Sequence, residues 1–319
     1  MSILSALYGA GVGLRNRLYD RGTLASRRLR APVVSVGSIS AGGAGKTPFV
    51  IMLGELLKQR GIEFDVLSRG YGRESKGVKL VDPAGGPGEF GDEPLLIARK
   101  LGVPVIVGED RFEAGRLAEE RFRSQLHLLD DGFQHRHLAR DFDIALVTQR
   151  DLRDSLLPSG RLREPLDSLR RASALVVMDG ARPEALPIRA GQQVWRATRG
   201  IVAPEVGDPC FAFCGIARPE SFYMALAEAG IRVVGSRAFR DHHVYDARDV
   251  EALYKQGQQS GAAAFITTEK DAINLGGNAE QLRPLHIVPV RMAFEADSAK
   301  AIAQICEVVE QQQGIRVRE

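Results

Sequence analysis

Pro32-Val-Val-Ser-Val-Gly37, then Ser38-Ile-Ser-Ala-Gly-Gly-Ala-Gly-Lys-Thr47, then Pro48-Phe-Val-Ile-Met-Leu-Gly-Glu-Leu-Leu-Lys-Gln-Arg60 is the stretch on which the fold of this chain turns. The first run is short and apolar, which reads as a buried strand. The last is helical, with Pro48 in the first turn, where its missing N–H costs nothing, and Gly61 to close it. Between them lies a glycine-rich loop ending in a lysine and a hydroxyl. That order suits a phosphate-binding loop: bare backbone turns successive N–H groups inward, and the helix dipole stands behind them. The general pattern is Gly-x4-Gly-Lys-Ser/Thr. Ser40 departs from it at the first glycine, and Gly42 and Gly43 supply the bare backbone instead. The expected nucleotide cradle is Ser40, Ala41, Gly42, Gly43, Ala44, Gly45, Lys46 and Thr47. In it Lys46 reaches the β- and γ-phosphates of ATP and the Thr47 hydroxyl ligates Mg²⁺.

Outward from the loop, Phe64–Leu67, Val103–Val107, Leu126–Leu129, Ile144–Val147 and Ala174–Met178 read as further strands. Residues 111–122 read as a helix between two of them, and Gly91-Asp-Glu-Pro94 opens another. Strands alternating with helices predict a parallel α/β sheet. From about Val194 the rhythm restarts, with strands near 209–215, 231–234 and 263–267 and helices at 220–228 and 247–258. The expected fold is therefore α/β: a P-loop NTPase-like parallel sheet flanked by helices over residues 1–190, and a second, smaller α/β domain over 191–319 that contributes to the cleft.

The 319 residues are 44% hydrophobic and 26% charged with a net charge of +3, which suits a folded globular chain and gives no sign of a nucleic-acid partner. Cys210, Cys214 and Cys306 lack zinc or redox spacing and read as ordinary thiols of a reducing compartment. No run of about 18 apolar residues exists to span a membrane. The N-terminus has no positive n-region before its apolar residues, which argues against a secretion signal. Instead, Ile3, Leu7, Ala10, Leu14 and Leu18 form a stripe on a helix over about residues 2–20. Arg15, Arg17, Arg21, Arg27, Arg28 and Arg30 follow against one Asp20. An apolar stripe beside a basic cluster suits an anionic membrane surface, although taken alone a helix packed on its own domain is the commoner case.

A phosphate loop needs a second metal anchor at a neighbouring strand tip, and Leu126-His-Leu-Leu-Asp130-Asp131 provides one. Either aspartate could hold the ion. Three polar clusters remain: Asp92-Glu93, Gln134-His135 and Asp241-His242-His243. An Asp or an Asp–His pair can accept a hydroxyl's proton, as a kinase requires, although each cluster alone is more often capping or a solvated polar surface.

These motifs, with Ser68-Arg-Gly-Tyr-Gly-Arg73, Pro158-Ser-Gly-Arg-Leu-Arg-Glu-Pro165 and Thr267-Thr-Glu-Lys-Asp-Ala272, appear in family order from about residue 5 to 290. The combination resembles the tetraacyldisaccharide 4′-kinases of the lipid A pathway. The resemblance implies ATP–Mg²⁺-dependent phosphorylation of the 4′-hydroxyl of a tetraacylated glucosamine disaccharide 1-phosphate. It implies a peripheral position on the cytoplasmic face of the bacterial inner membrane; a monomer is expected. It makes Asp92 the general base, His242 its support, and Asp130 and Asp131 the metal-proximal pair. Gln134, His135, Arg163 and Glu164 become polar positions of the cleft. A lipid acceptor cannot leave the bilayer cheaply, at about 0.8 kcal/mol per exposed CH₂, so the N-terminal helix then reads as a membrane dock. The rival class is a membrane-associated switch ATPase, which usually carries a lysine where Ala41 stands. A GTPase would need Asn-Lys-x-Asp, which Thr268-Glu-Lys270-Asp271 does not supply.

Overall fold

Val33–Ser38 and Leu126–Asp130 are buried at every residue, as strands covered on both faces must be. They sit at the centre of a large sheet in a computed structural model that describes residues 2–296 and 298–313. Met1, Asp297 and residues 314–319, which fall within the two expected domains, lie outside the described residues. In chain order the elements are α1 Ile3–Asp20, β1 Val33–Ser38, α2 Lys46–Gln59, β2 Phe64–Ser68, β3 Lys79–Leu80, α3 Pro87–Phe90, α4 Asp92–Leu101, β4 Val105–Val107, α5 Arg111–Arg121, β5 Leu126–Asp130, β6 Phe142–Thr148 and β7 Ala174–Met178. There follow β8 Gln193–Ile201, β9 Cys210–Cys214, α6 Pro219–Glu228, β10 Val233–Ala238, α7 Ala247–Gln259, β11 Ala264–Thr268, α8 Glu269–Leu275, β12 Leu285–Val288, β13 Val290–Phe294 and α9 Ser298–Gln313.

The large sheet runs β13-β8-β7-β6-β1-β5-β2-β4-β3, parallel except for its two edge strands. β1 lies between β5 and β6, so the loop after β1 and the acidic end of β5 emerge side by side at one sheet edge. A second, all-parallel sheet runs β10-β9-β11-β12. Sheet membership draws the smaller unit more tightly than residues 191–319. Its strands span Cys210 to Val288, while β8 pairs with β7, β13 pairs with β8, and the chain returns to the large unit through α9. The physical reason is packing. Trp195 of β8 is fully buried against Phe142 and Phe294, and Ile305 and Val309 of α9 close the same core. Cys210 and Cys214 are free and buried in β9.

The N-terminal helix packs the opposite way from an ordinary amphipathic helix. Its one buried residue is Ser5, while Ile3, Leu4, Leu7 and Leu14 are 81%, 64%, 65% and 59% exposed. The polar edge faces inward: Ser5 Oγ donates to Leu156 O and Tyr8 Oη to Arg163 O. Gly9 lets the helix approach, since a Cβ there would come within 2.7 Å of Leu156. Among the described residues no helix is long and apolar enough to cross a membrane.

Candidate active site

The loop after β1 turns on glycines in the left-handed region, Gly42 at φ 66°, Gly43 at 70° and Gly45 at 80°, the last capping α2. Its outer carbonyls are held by arginines. Arg161 donates to Ala41 O and Gly42 O, and Arg199 to Gly43 O at 3.4 Å. Arg218, entering α6 of the smaller unit, lies on Gly43 so closely that a Cβ there would meet its Nε at 2.7 Å. Asp179 faces both Arg199 and Arg218, at 3.4 and 3.6 Å. Beside Gly45, Met178, Asp179, Ala197 and Arg199 line a cavity of about 240 Å³. Ser40 is buried with no partner for its hydroxyl, and Thr47 is buried at the head of α2.

Lys46 Nζ lies 3.5 Å from Ser38 Oγ and 3.5 Å from Asp131 Oδ1. Arg163 grips the same Asp131 carboxylate with two bonds, at 3.0 and 2.7 Å. Burial works against the Asp131 charge, but Lys46, Arg163 and Arg111 outweigh it and hold the carboxyl well below its usual range. Asp130 has the opposite environment. Burial and the charges of Glu93 and Asp131 push it up to about 7, against Lys46 and a hydrogen bond from Ser68 at 3.0 Å. Its Oδ1 is buried with no partner at all. Adjacent carboxylates are thus driven apart in acidity, one by arginine and lysine and the other by desolvation.

Glu164 is buried beneath Arg163 and accepts from Arg171 at 2.6 and 2.7 Å, Gln134 at 3.1 Å and Asn16 at 2.7 Å. Gln134 also donates to Ser38 O at 3.0 Å. Gln134 and Glu164 are thus bonded to each other, while Arg163, next to Glu164 in the chain, is bonded to Asp131. His135 stands apart, beside Arg111, and burial with that guanidinium pushes its pKa down to about 3.

Across the cleft, Asp92 opens α4 and His242 arrives from the smaller unit, 150 residues away in sequence, with Nδ1 3.0 Å from both carboxylate oxygens. Asn274 donates to Asp92 Oδ2 at 3.0 Å and the Glu93 backbone N–H to Oδ1 at 2.8 Å. Burial opposes the Asp92 charge, but His242, Lys270 and Asn274 hold its pKa below the usual value. Burial also opposes an imidazolium at His242, yet the Asp92 hydrogen bond outweighs that and raises its pKa. His243 is occupied elsewhere, with Nε2 2.7 Å from Asp249 and its ring stacked on Phe239.

Several groups beyond the candidate residues complete this geometry. Lys270 Nζ stands 3.1 Å from His242 Nε2, 3.3 Å from Asp241 and 3.5 Å from Glu93. Its neighbour Asp271 is fully buried and is spent on Gly215 N, Tyr245 and Thr268. Asn274, Ser68 and Arg161 belong to this geometry as well, and Ser68, Arg161 and Lys270 lie inside the motifs quoted above. Among the non-glycine described residues, left-handed backbone occurs at Asp131, Asp179 and His242, all around this cleft. Such positions are sparsely populated and persist where surrounding contacts over-determine them.

Fold and loop together define a P-loop protein of the α/β class, with an Asp–His pair facing the loop across two units. The chain belongs to the tetraacyldisaccharide-1-P 4′-kinase family, LpxK, whose model matches residues 1–310. It is 49% identical to a tetraacyldisaccharide 4′-kinase of Koribacter versatilis, covering 98% of this chain and 100% of that one. A namesake from Syntrophus aciditrophicus is 38% identical over 92% of this chain and 88% of its own length. Among solved structures, LpxK from Aquifex aeolicus in complex with ATP is 34% identical. It covers 96% of this chain and 97% of its own, with a TM-score of 0.78.

Proposed function

We propose that this chain transfers the γ-phosphate of ATP to the 4′-hydroxyl of a tetraacylated glucosamine disaccharide 1-phosphate. The observation that carries the reading is the Asp92–His242 pair, assembled across the cleft from the phosphate loop. An Asp–His pair at this place suits removal of an acceptor hydroxyl's proton, as a kinase requires. The relatives' name supplies the acceptor, and the ATP complex of the Aquifex aeolicus protein supports the donor.

Phosphoryl transfer is chiefly positioning and charge neutralisation. The loop N–H groups and Lys46 hold the phosphates, the arginines brace the loop through its outer carbonyls, and the cavity beside Gly45 has room for part of the nucleoside. Asp92 takes the proton of the sugar hydroxyl while His242 orients and stabilises it. The oxygen–phosphorus bond to the acceptor forms as the β,γ-bridging bond breaks, and ADP leaves. Lys270 Nζ stands beside the dyad, 3.1 Å from His242 Nε2 and 3.8 Å from Asp92 Oδ2. The buried, unpartnered Asp130 Oδ1 is a fitting acceptor for a divalent cation. Among the described residues no three carboxylate, histidine or cysteine side chains converge on a metal position. Thr47 and Asp130 would therefore hold Mg²⁺ jointly with nucleotide phosphates, where the ion would neutralise developing charge, and Asp131 would orient Lys46.

The outward leucines of α1 and the exposed Arg15, Arg17 and Arg21 support a peripheral seat on an anionic bilayer, the cytoplasmic face of the inner membrane. The test is incubation with γ-labelled ATP and the acylated disaccharide 1-phosphate. Label in the lipid is expected. ATP hydrolysis without it would leave the switch ATPase.

A further inference from the structure

The polar edge of α1 ends on the catalytic cluster. Tyr8 Oη donates to Arg163 O at 3.0 Å, Asn16 Nδ2 to Glu164 at 2.7 Å, and Arg15 to Gln134 O at 2.9 Å. Arg163 in turn fixes Asp131, and Asp131 faces Lys46. The chain of contacts therefore runs unbroken from the helix to the lysine of the phosphate loop. A helix that served as an anchor alone would need an outward apolar face and any convenient inner one. Here the inner face is spent on hydrogen bonds to residues 134, 163 and 164, and packing supplies little, since only Ser5 is buried.

We propose that α1 is a positioning element of the phosphotransfer site, with Asn16 and Tyr8 as the residues through which it acts. They fix the backbone and carboxylate of the 163–164 segment, and so the aim of Arg163 on Asp131. Asn16 suits this role because a buried carboxylate wants neutral or cationic donors: Glu164 already has Arg171 and Gln134, and the Asn16 amide completes its shell. A consequence is that seating the outer face of α1 on a bilayer would steady the site, joining attachment to turnover. The inference rests on the kinase reading.

The test uses the full chain and compares Asn16→Asp, Asn16→Ala and Tyr8→Phe with the wild type. Turnover is read at saturating γ-labelled ATP and acylated disaccharide 1-phosphate in mixed micelles. Attachment is read separately, by co-sedimentation with phosphatidylglycerol–phosphatidylethanolamine vesicles. Asn16→Asp keeps the shape and puts a negative oxygen against Glu164, so kcat should fall about tenfold or more. Tyr8→Phe, which removes one hydroxyl, should lower kcat severalfold. Vesicle binding and lipid KM should stay within about twofold of wild type in both. Unchanged kcat in folded Asn16→Asp and Tyr8→Phe overturns the inference, as does a loss confined to vesicle binding or lipid KM. If Asn16→Asp does not fold, Asn16→Ala and Tyr8→Phe decide the matter. Failure of the wild type to label lipid would instead remove the kinase reading.

Discussion

Replacing Asp92 by asparagine separates chemistry from architecture. The side chain keeps its shape, so the close contacts with His242, Asn274 and the Glu93 N–H remain sterically possible. The electrostatic changes oppose each other, and His242, without the carboxylate that raises its pKa, can fall back to the neutral imidazole. Lys270 loses a carboxylate at 3.8 Å, worth about 4 kcal/mol at an effective dielectric constant of about 20. Against that, a nearly buried charge disappears, and with it a desolvation penalty of several kcal/mol. Lys270 keeps Glu93 and Asp241. The net stability change should therefore lie within about 2 kcal/mol, a shift of a few degrees in Tm. The chemical effect has no such compensation. An amide cannot take the hydroxyl proton, and loss of a general base lowers turnover by about 10²–10⁴. The assay is single-turnover labelling of the lipid acceptor, with ATP KM and a thermal melt measured in parallel. A kcat within about threefold of wild type would refute the base assignment. A tenfold rise in ATP KM with little loss of kcat would make the pair a strut between the units.

Gly43→Ala should raise the KM for ATP about tenfold, because a left-handed alanine costs about 1–2 kcal/mol and its Cβ meets Arg218 Nε at 2.7 Å. Gly11→Ala, in open space, is the control, and equal ATP kinetics in the two variants would count against the loop geometry. His127 of β5 is fully buried beside Asp65 of β2, and although burial opposes its charge, Asp65 and Glu119 raise its pKa to about 9. A raised folded-state pKa contributes stability that is fully present below the unfolded value of about 6.5 and is lost as pH rises through about 9. His127→Gln should therefore be less stable than wild type at pH 6, with the gap narrowing by pH 9.5. Urea denaturation at both pH values measures it, and a pH-independent gap would contradict a charged His127.

The sequence by itself determined the parts whose physics is local. A buried strand, a glycine turn, Lys46-Thr47 and a proline-led helix are contiguous, and each dictates the geometry of the next. The apolar run ending in Asp130 and Asp131 marked a strand tip for the same reason, and alternation of strand and helix gave the parallel sheet. The strand expected at 231–234 is instead Val233–Ala238, because pairing with β9 sets its limits. Tertiary structure decided the rest. Asp92 and His242 are each ambiguous beside their own neighbours and become a pair only where α4 meets the smaller unit. Nothing local separates His242 from His243; the fold gives one to Asp92 and the other to Asp249. β8, β13 and α9 rejoin the large sheet because Trp195 needs a cover that only distant residues supply. For α1, periodicity displayed an apolar stripe but could not say which way it faced. That direction was fixed by hydrogen bonds to residues more than 100 positions away, which leave the leucines outside. Periodicity reports that a helix has two faces, and only the partners of its polar atoms decide which one is turned toward the protein.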